Sequence, residues 1–379
     1  MTTQKYIGLM SGTSLDGVDG VLAGIDPHGS LKVMAHAFVP FTASFQAQLL
    51  ELNQSGPDEL HRGALASNAI ARHYAQVVHD LLAQTHTNAQ QITAIGAHGQ
   101  TVRHRPLEFD GDVLLEQAPV GYTVQLINPS LLAELTGIDV VADFRNRDLA
   151  AGGQGAPLVP AFHQGVFARA GACVGVLNIG GISNLSVLGA NGAVMGWDCG
   201  PGNALMDFWC SSHIGTPFDR DGAWAAQGLV DLNLLNNLLT EDFLHRSPPK
   251  STGRDLFNIT WLRQHLNAHA HLAPQDVQAT LTEFTALACA HDVKSHACDA
   301  EELIVCGGGA LNSHLMRRLA VHLPDLKVTT SDHRGLPPLH VEAAAFAWLA
   351  FKTIRRETAS LPSVTGARGA RVLGAIYPR

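Results

Sequence analysis

The run Met10-Ser-Gly-Thr-Ser-Leu-Asp-Gly-Val-Asp19 crowds glycine, hydroxyl and carboxylate groups into one turn. Gly12 and Gly17 let backbone N–H groups come close to an anion, and Thr13 and Ser14 add hydroxyl donors. Asp16 and Asp19 would repel a bare phosphate but suit one carrying Mg²⁺. An ordinary polar hairpin would use similar residues. A second run, Asn178-Ile-Gly-Gly-Ile-Ser-Asn184, again reads strand, glycine turn, strand. Gly180 and Gly181 of that loop would face the first loop across a polyphosphate, and the matched pair is a stronger signal than either alone.

Two further runs complete the candidate chemistry. In Trp197-Asp-Cys-Gly-Pro-Gly-Asn203 a strand is expected to end at Asp198 and a helix to begin near Asn203. A carboxylate at a rigid strand end in a partly dry cleft is suited to general base work. Capping of the next helix is the competing reading. In Cys306-Gly-Gly-Gly-Ala-Leu-Asn312, Gly307 and Gly308 follow a buried strand and open a helix. That allows flat packing of a ring, or a phosphate near a helix N-terminus. His98 and Gln100 (AHGQT), with Asp143 and Arg145 (VADFR), are polar fingers for a hydroxylated or carboxylated substrate, or simply satisfied turns.

Several chemistries lack their motif. No GxGxxG spacing and no Gly-Lys pair occurs, so any ATP site is neither a dinucleotide fold nor a Walker loop. There is no GxSxG elbow and no HExxH. His265, His269 and His271 lie near helical spacing without a carboxylate to complete a zinc set, and read as a solvated face.

These residues need elements to hold them. Apolar runs separated by Gly and Asp turns predict strands at 6–10, 18–25, 31–39, 92–98 and 137–143. Helices are expected up to Ala83 and over Pro129–Leu135. The second half repeats the grammar, with strands at 173–179, 184–189, 193–198, 302–308 and 326–331. Helices are expected there at 275–296 and 312–322. Val277, Leu281, Phe284, Ala288 and His291 share one face of the longer one. Two βββαβαβ halves imply two similar helix-covered sheets, with small ligands in a cleft between them. The expected division is 1–135 and 136–379.

Composition agrees with this class. The chain has 379 residues, 46% hydrophobic, 15% charged, 37 Gly and a net charge of −8. Charge is low against about 25% in an average domain, and 46% apolar is ample for a core. The negative balance and 6% aromatic content argue against a nucleic-acid partner. No run approaches the roughly 20 apolar residues of a membrane span, and the N-terminus lacks a signal-peptide core. Six cysteines without a CxxC pair read as reduced thiols, so a cytoplasmic enzyme is expected.

MSGTSLDGVD, GAHGQT, VADFR with AAGGQGAPLVP, NIGGISN, DCGPGN, FDRDG, CGGGALN and EAAAFAWLA occur in order along almost the whole chain. Together they resemble the anhydro-N-acetylmuramic acid kinase family of the sugar-kinase/heat-shock-70/actin superfamily. The resemblance implies an α/β fold of two ribonuclease-H-like (actin-like ATPase) domains around a central nucleotide cleft. It also implies a reaction of peptidoglycan recycling. ATP and water convert 1,6-anhydro-N-acetylmuramic acid into N-acetylmuramic acid 6-phosphate and ADP, with Mg²⁺ as the companion ion. The phosphates would lie along Gly12, Thr13, Ser14, Leu15, Asp16, Gly17, Val18 and Asp19. Asp198 matches the family's catalytic base, and Glu342 is implied as a second carboxylate near the sugar. A helix N-terminal role is the alternative for Glu342. The resemblance allows a homodimer. Another kinase of the same fold, acting on a hexose or amino-sugar, is the alternative activity.

Overall fold

A computed structural model describes residues 3–12, 14–107, 120–248, 250–253 and 256–379. The strands in chain order are β1 (Gln4–Ser11), β2 (Gly17–Ile25), β3 (Leu31–Pro40), β4 (Ile92–Arg105), β5 (Tyr122–Leu126) and β6 (Val140–Ala142). They continue as β7 (Cys173–Ile179), β8 (Ile182–Leu188), β9 (Val194–Pro201), β10 (Ala300–Cys306), β11 (Lys327–Thr330) and β12 (Ala375–Tyr377). The helices are α1 (Ala43–Glu51), α2 (Glu59–Thr85), α3 (Pro129–Thr136), α4 (Asn146–Ala150), α5 (Val159–Phe167) and α6 (Ala204–Ile214). Then follow α7 (Leu232–Leu238), α8 (Ile259–Leu266), α9 (Pro274–His296), α10 (Ser313–His322), α11 (Val341–Ile354) and α12 (Pro362–Thr365).

The chain divides into two units, one of residues 1–166 with 340–379 and one of 167–339. The first carries a sheet ordered β12-β6-β4-β1-β2-β3, with β5 also paired to β4. β1, β2 and β3 form an antiparallel meander, while β4 runs parallel to β1 and β6 parallel to β4. α2 packs on β2 and β3, burying Ile70, Tyr74, Val77, Val78 and Leu81. The alanine-rich α11 packs against β1, β2 and β4. It lies so close that a Cβ on Gly8 would stand 1.9 Å from Ala343 O, and one on Gly96 2.0 Å from Phe346 O. Gly8 and Gly96 are register partners, so the paired glycines make the seat for the helix.

The second unit has the order β11-β10-β7-β8-β9 with the same pairing directions. This matches β6-β4-β1-β2-β3 element for element. The duplication expected from the sequence is present, as is the mixed α/β class with two ribonuclease-H-like sheets.

Four expectations need correction. The boundary at 135 would cut the first sheet, because β6 bonds to β4 and β12 bonds to β6. The C-terminal segment with α11 also returns to that sheet, so 136–166 and 340–379 belong with the first unit. The strand holding Asp198 continues to Pro201, since β8 goes on pairing with it past that residue. β4 likewise runs on to Arg105 because β5 pairs with its polar second half. Finally, α9 is buried nearly all round by strands and by α6, α7 and α10, yet His291 is exposed. Its neighbour Asp292 takes the buried position instead and bonds Trp197 and Lys250.

Candidate active site

In the first unit the β1–β2 turn is tied to the middle of β4. Ser11 Oγ donates to Gly99 O at 3.1 Å, Gly99 N donates to the Tyr74 hydroxyl at 3.1 Å, and Ser11 and Tyr74 hydroxyls meet at 3.0 Å. Burial keeps the Tyr74 phenol protonated, so it donates to Ser11 while accepting from Gly99. Gly99 has φ +80° and breaks the pleat, and Gln100 Nε2 then reaches Gly12 O at 3.0 Å.

Within the turn, Ser14 and Asp16 are exposed and their side chains bond each other at 2.6 Å. Leu15 closes the turn through its N–H to Gly12 O at 3.2 Å. The side chains of Leu15 and Val18 are buried in the core, so they have only backbone to offer a ligand. Asp19 bonds His36 Nε2 at 3.0 Å. Thr13 lies outside the described residues.

His98 and Arg145, two separate fingers in the sequence, form one device. Arg145 Nε and Nη2 donate to His98 Nε2 at 3.1 and 2.9 Å, and Nη1 donates to Gly155 O at 2.8 Å. Burial, then the neighbouring guanidinium, holds His98 well below the usual histidine range. The ring is therefore neutral with its proton on Nδ1. That donor lies near the Ser11 and Gly99 backbone without a hydrogen bond of good geometry, and the Gln100 Oε1 acceptor is buried with no partner among the described residues. Buried polar atoms are rarely left so, and each could accept a hydroxylated ligand. Burial pushes Arg145 down to about 10, and Glu342, in the first turn of α11, opposes that shift. Asp143 is exposed at φ +60° and bonds Asn146 Nδ2 at 2.7 Å rather than His98 or Arg145.

In the second unit three glycine runs converge on the ends of β7 and β10. Gly180 O and Gly181 O accept from the N–H groups of Asn203, Gly202 and Ala204, fixing the start of α6. Asn203 Nδ2 donates to Ile179 O at 3.1 Å. Gly307 has φ +77°, and a Cβ there would stand 2.4 Å from Asn178 Oδ1. The run therefore lies flat on the strand end, and only glycine fits.

Asp198 is partly buried on β9, an edge strand. Its Oδ2 accepts from Ser251 Oγ and Thr252 N, both at 2.9 Å. Burial raises its pKa to about 6, while those two bonds and the Lys250 charge pull it back. Such a carboxylate is ionised near neutral pH yet basic enough to take a proton.

The family model for anhydro-N-acetylmuramic acid kinase matches residues 4–379. The chain belongs to the anhydro-N-acetylmuramic acid kinase family. A relative of that name from Variovorax paradoxus is 62% identical over 383 residues, covering 100% of both chains. One from Albidiferax ferrireducens is 58% identical, covering 98% of this chain and 99% of the relative. One from Cupriavidus pinatubonensis is 54% identical, with 99% and 98% covered.

Sequence reasoning missed Lys250, Ser251 and Thr252, which bond Asp198 through its N–H and its carboxylate. They lie about fifty residues beyond Asp198, in a stretch with no glycine pattern, and nothing in their spacing points back to it.

Proposed function

We propose that the chain uses ATP and water to open 1,6-anhydro-N-acetylmuramic acid and phosphorylate O6, giving N-acetylmuramic acid 6-phosphate and ADP in cytoplasmic peptidoglycan recycling. The observation that carries the residue assignment is Asp198. It is a partly buried carboxylate with a pKa raised to about 6 and one oxygen held by two donors.

Asp198 takes a proton from water, and the hydroxide attacks C1. The C1–O6 bond breaks, and O6 carries away its electron pair. O6 then attacks the γ-phosphorus in line, the bond to the β-phosphate oxygen breaks, and ADP leaves. The proton on Asp198 returns to solvent. No separate base is needed for O6, because ring opening itself generates the nucleophile.

The β1–β2 turn is assigned to the phosphates, through backbone at Gly12, Leu15, Gly17 and Val18 and side chains at Ser14, Asp16 and Asp19. Gly180, Gly181, Gly307 and Gly308 are assigned to the nucleotide as well. Asp16 and Asp19 are hard oxygen donors, each with one carboxylate oxygen already engaged, and fit a Mg²⁺ that arrives with ATP. That ion would offset charge on the phosphoryl group. His98 Nδ1–H, Gln100 Oε1, Asp143, Arg145 and Glu342 are assigned to the sugar.

The test is coupled ADP release with Mg-ATP and three sugars: the anhydro sugar, N-acetylmuramic acid and N-acetylglucosamine. ADP and a 6-phosphorylated reducing product with the anhydro sugar alone support the proposal. Preference for either open sugar overturns it in favour of an ordinary amino-sugar kinase.

A further inference from the structure

One buried carboxylate holds both segments that fix Asp198. Asp292 on α9 accepts from Trp197 Nε1 through Oδ2 at 2.9 Å and from Lys250 Nζ through Oδ1 at 3.1 Å. Trp197 precedes Asp198 on β9. Lys250 precedes Ser251 and Thr252, the two donors to Asp198 Oδ2, and its carbonyl accepts from Asp198 N at 3.1 Å. Lys250 Nζ also donates to Leu244 O at 3.2 Å and lies 5.2 Å from the centre of the Phe243 ring. The Lys250 and Asp292 side chains are each 2% exposed.

A buried ion pair is a poor stabiliser compared with apolar residues of the same volume, because both ions lose their hydration. What it provides is fixed geometry. Residues 250–253 belong to no helix or strand, so hydrogen bonding within an element does not hold them in place. We infer that the Lys250–Asp292 pair is a positioning clamp for the catalytic reaction, anchoring residues 250–252 so that Ser251 Oγ and Thr252 N hold Asp198 ready to receive the water proton. The inference rests on Asp198 being the base.

Among the described residues, the titratable groups shown beside this pair are the Cys199 and Cys289 thiols and His296, whose ring lies 5.2 Å from that of Trp197. Burial pushes the Cys199 thiol well up, so it stays neutral. The bonds from Ser251 and Thr252 favour the Asp198 carboxylate over the acid. Releasing the clamp should weaken them and move the acidic limb of the kcat profile to higher pH.

The test is the double variant Lys250→Met with Asp292→Asn. It removes both charges together and leaves an amide oxygen for the Trp197 N–H. The expected result is a kcat at least tenfold lower, an ATP KM within twofold of the parent, and an acidic limb moved up by at least half a pH unit. Unchanged kcat and limb overturn the inference. So does a fall in kcat with the limb unmoved, which marks a merely structural pair. The double variant also removes the Lys250 charge, which itself lowers the Asp198 pKa. Its limb shift is therefore read beside that of Asp292→Glu, which keeps both charges but displaces the Lys250 ammonium by one methylene. Asp292→Glu serves alone if the double variant does not fold. It should lower kcat severalfold with the same upward shift, and parental kcat and limb in that variant overturn the inference. Asp198→Asn in parallel separates the two claims. Full activity there removes the base itself, whereas an inactive Asp198→Asn beside neutral clamp variants removes only the clamp.

Discussion

Replacing Asp198 by Asn should abolish most turnover and, at the same time, stabilise the protein. General base catalysis is typically worth about 10²–10⁴-fold, or roughly 3–5 kcal/mol of barrier. The Asn side chain keeps an oxygen for Ser251 Oγ and Thr252 N, so the geometry should persist. The stability term comes from the same pKa. Folding raises the Asp198 pKa from 3.8 to about 6, so the folded state binds this proton more tightly than the unfolded chain. Stability from this group is therefore greatest below pH about 4, falls as pH rises to about 6, and stays low above that. At about 1.4 kcal/mol per pH unit the loss is up to about 3 kcal/mol, less what residual water contact relieves. An amide does not titrate and escapes it. The assay pairs coupled ADP release with urea unfolding at pH 4 and pH 7.5. The expected outcome is ADP release lowered at least a hundredfold, with unfolding free energy raised by about 1–3 kcal/mol at pH 7.5 and little changed at pH 4. Near-normal turnover, or a variant less stable at pH 7.5, would refute the reasoning.

Other outcomes follow from the same geometry. The parent kcat should fall about tenfold per pH unit below an apparent pKa near 6, as Asp198 takes up its proton, and a pH–rate profile checks this. Arg145→Lys loses the fork that holds His98 and Gly155, so the KM for the anhydro sugar should rise at least about tenfold while that for ATP holds; steady-state kinetics with each substrate varied decides it. Gly96→Ala places a methyl about where Phe346 O already stands, so it should cost about 3 kcal/mol or more, read from urea unfolding.

The strands were legible wherever the run is apolar on both faces. β7 was placed residue for residue, and β1, β2 and β10 to within two at either end, because most of their residues are buried. The edge strand β3 was placed as closely although only Ala37 in it is buried. The polar half of β4 and all of β5 were not. Thr101, Thr123 and Gln125 bond one another through their side chains, and with Gln100 and Arg103 they carry no apolar signal. The return of α11 to the first sheet was equally hidden, since Gly8 and Gly96 announce a close neighbour without naming it. Among the candidate site residues, Gly307 stands out by glycine spacing because its backbone at φ +77° leaves no room for a Cβ, whereas Gly12 has room for one and Asp198 lies inside β9 rather than at its end. The Arg145–His98 bond and the Asp292–Lys250 pair join residues 47 and 42 apart, and only the fold brings them together.

The central claim is that water, activated by Asp198, attacks C1 directly while O6 becomes the nucleophile for phosphorus. The anomeric configuration of the first product tests it most directly. In the 1,6-anhydro sugar O6 occupies the β face of C1, so attack from the opposite face must give the α-anomer. Proton NMR of a fast reaction at high enzyme concentration should show α-N-acetylmuramic acid 6-phosphate first, with the β-anomer growing in only as mutarotation proceeds. A β-anomer formed first would contradict the account.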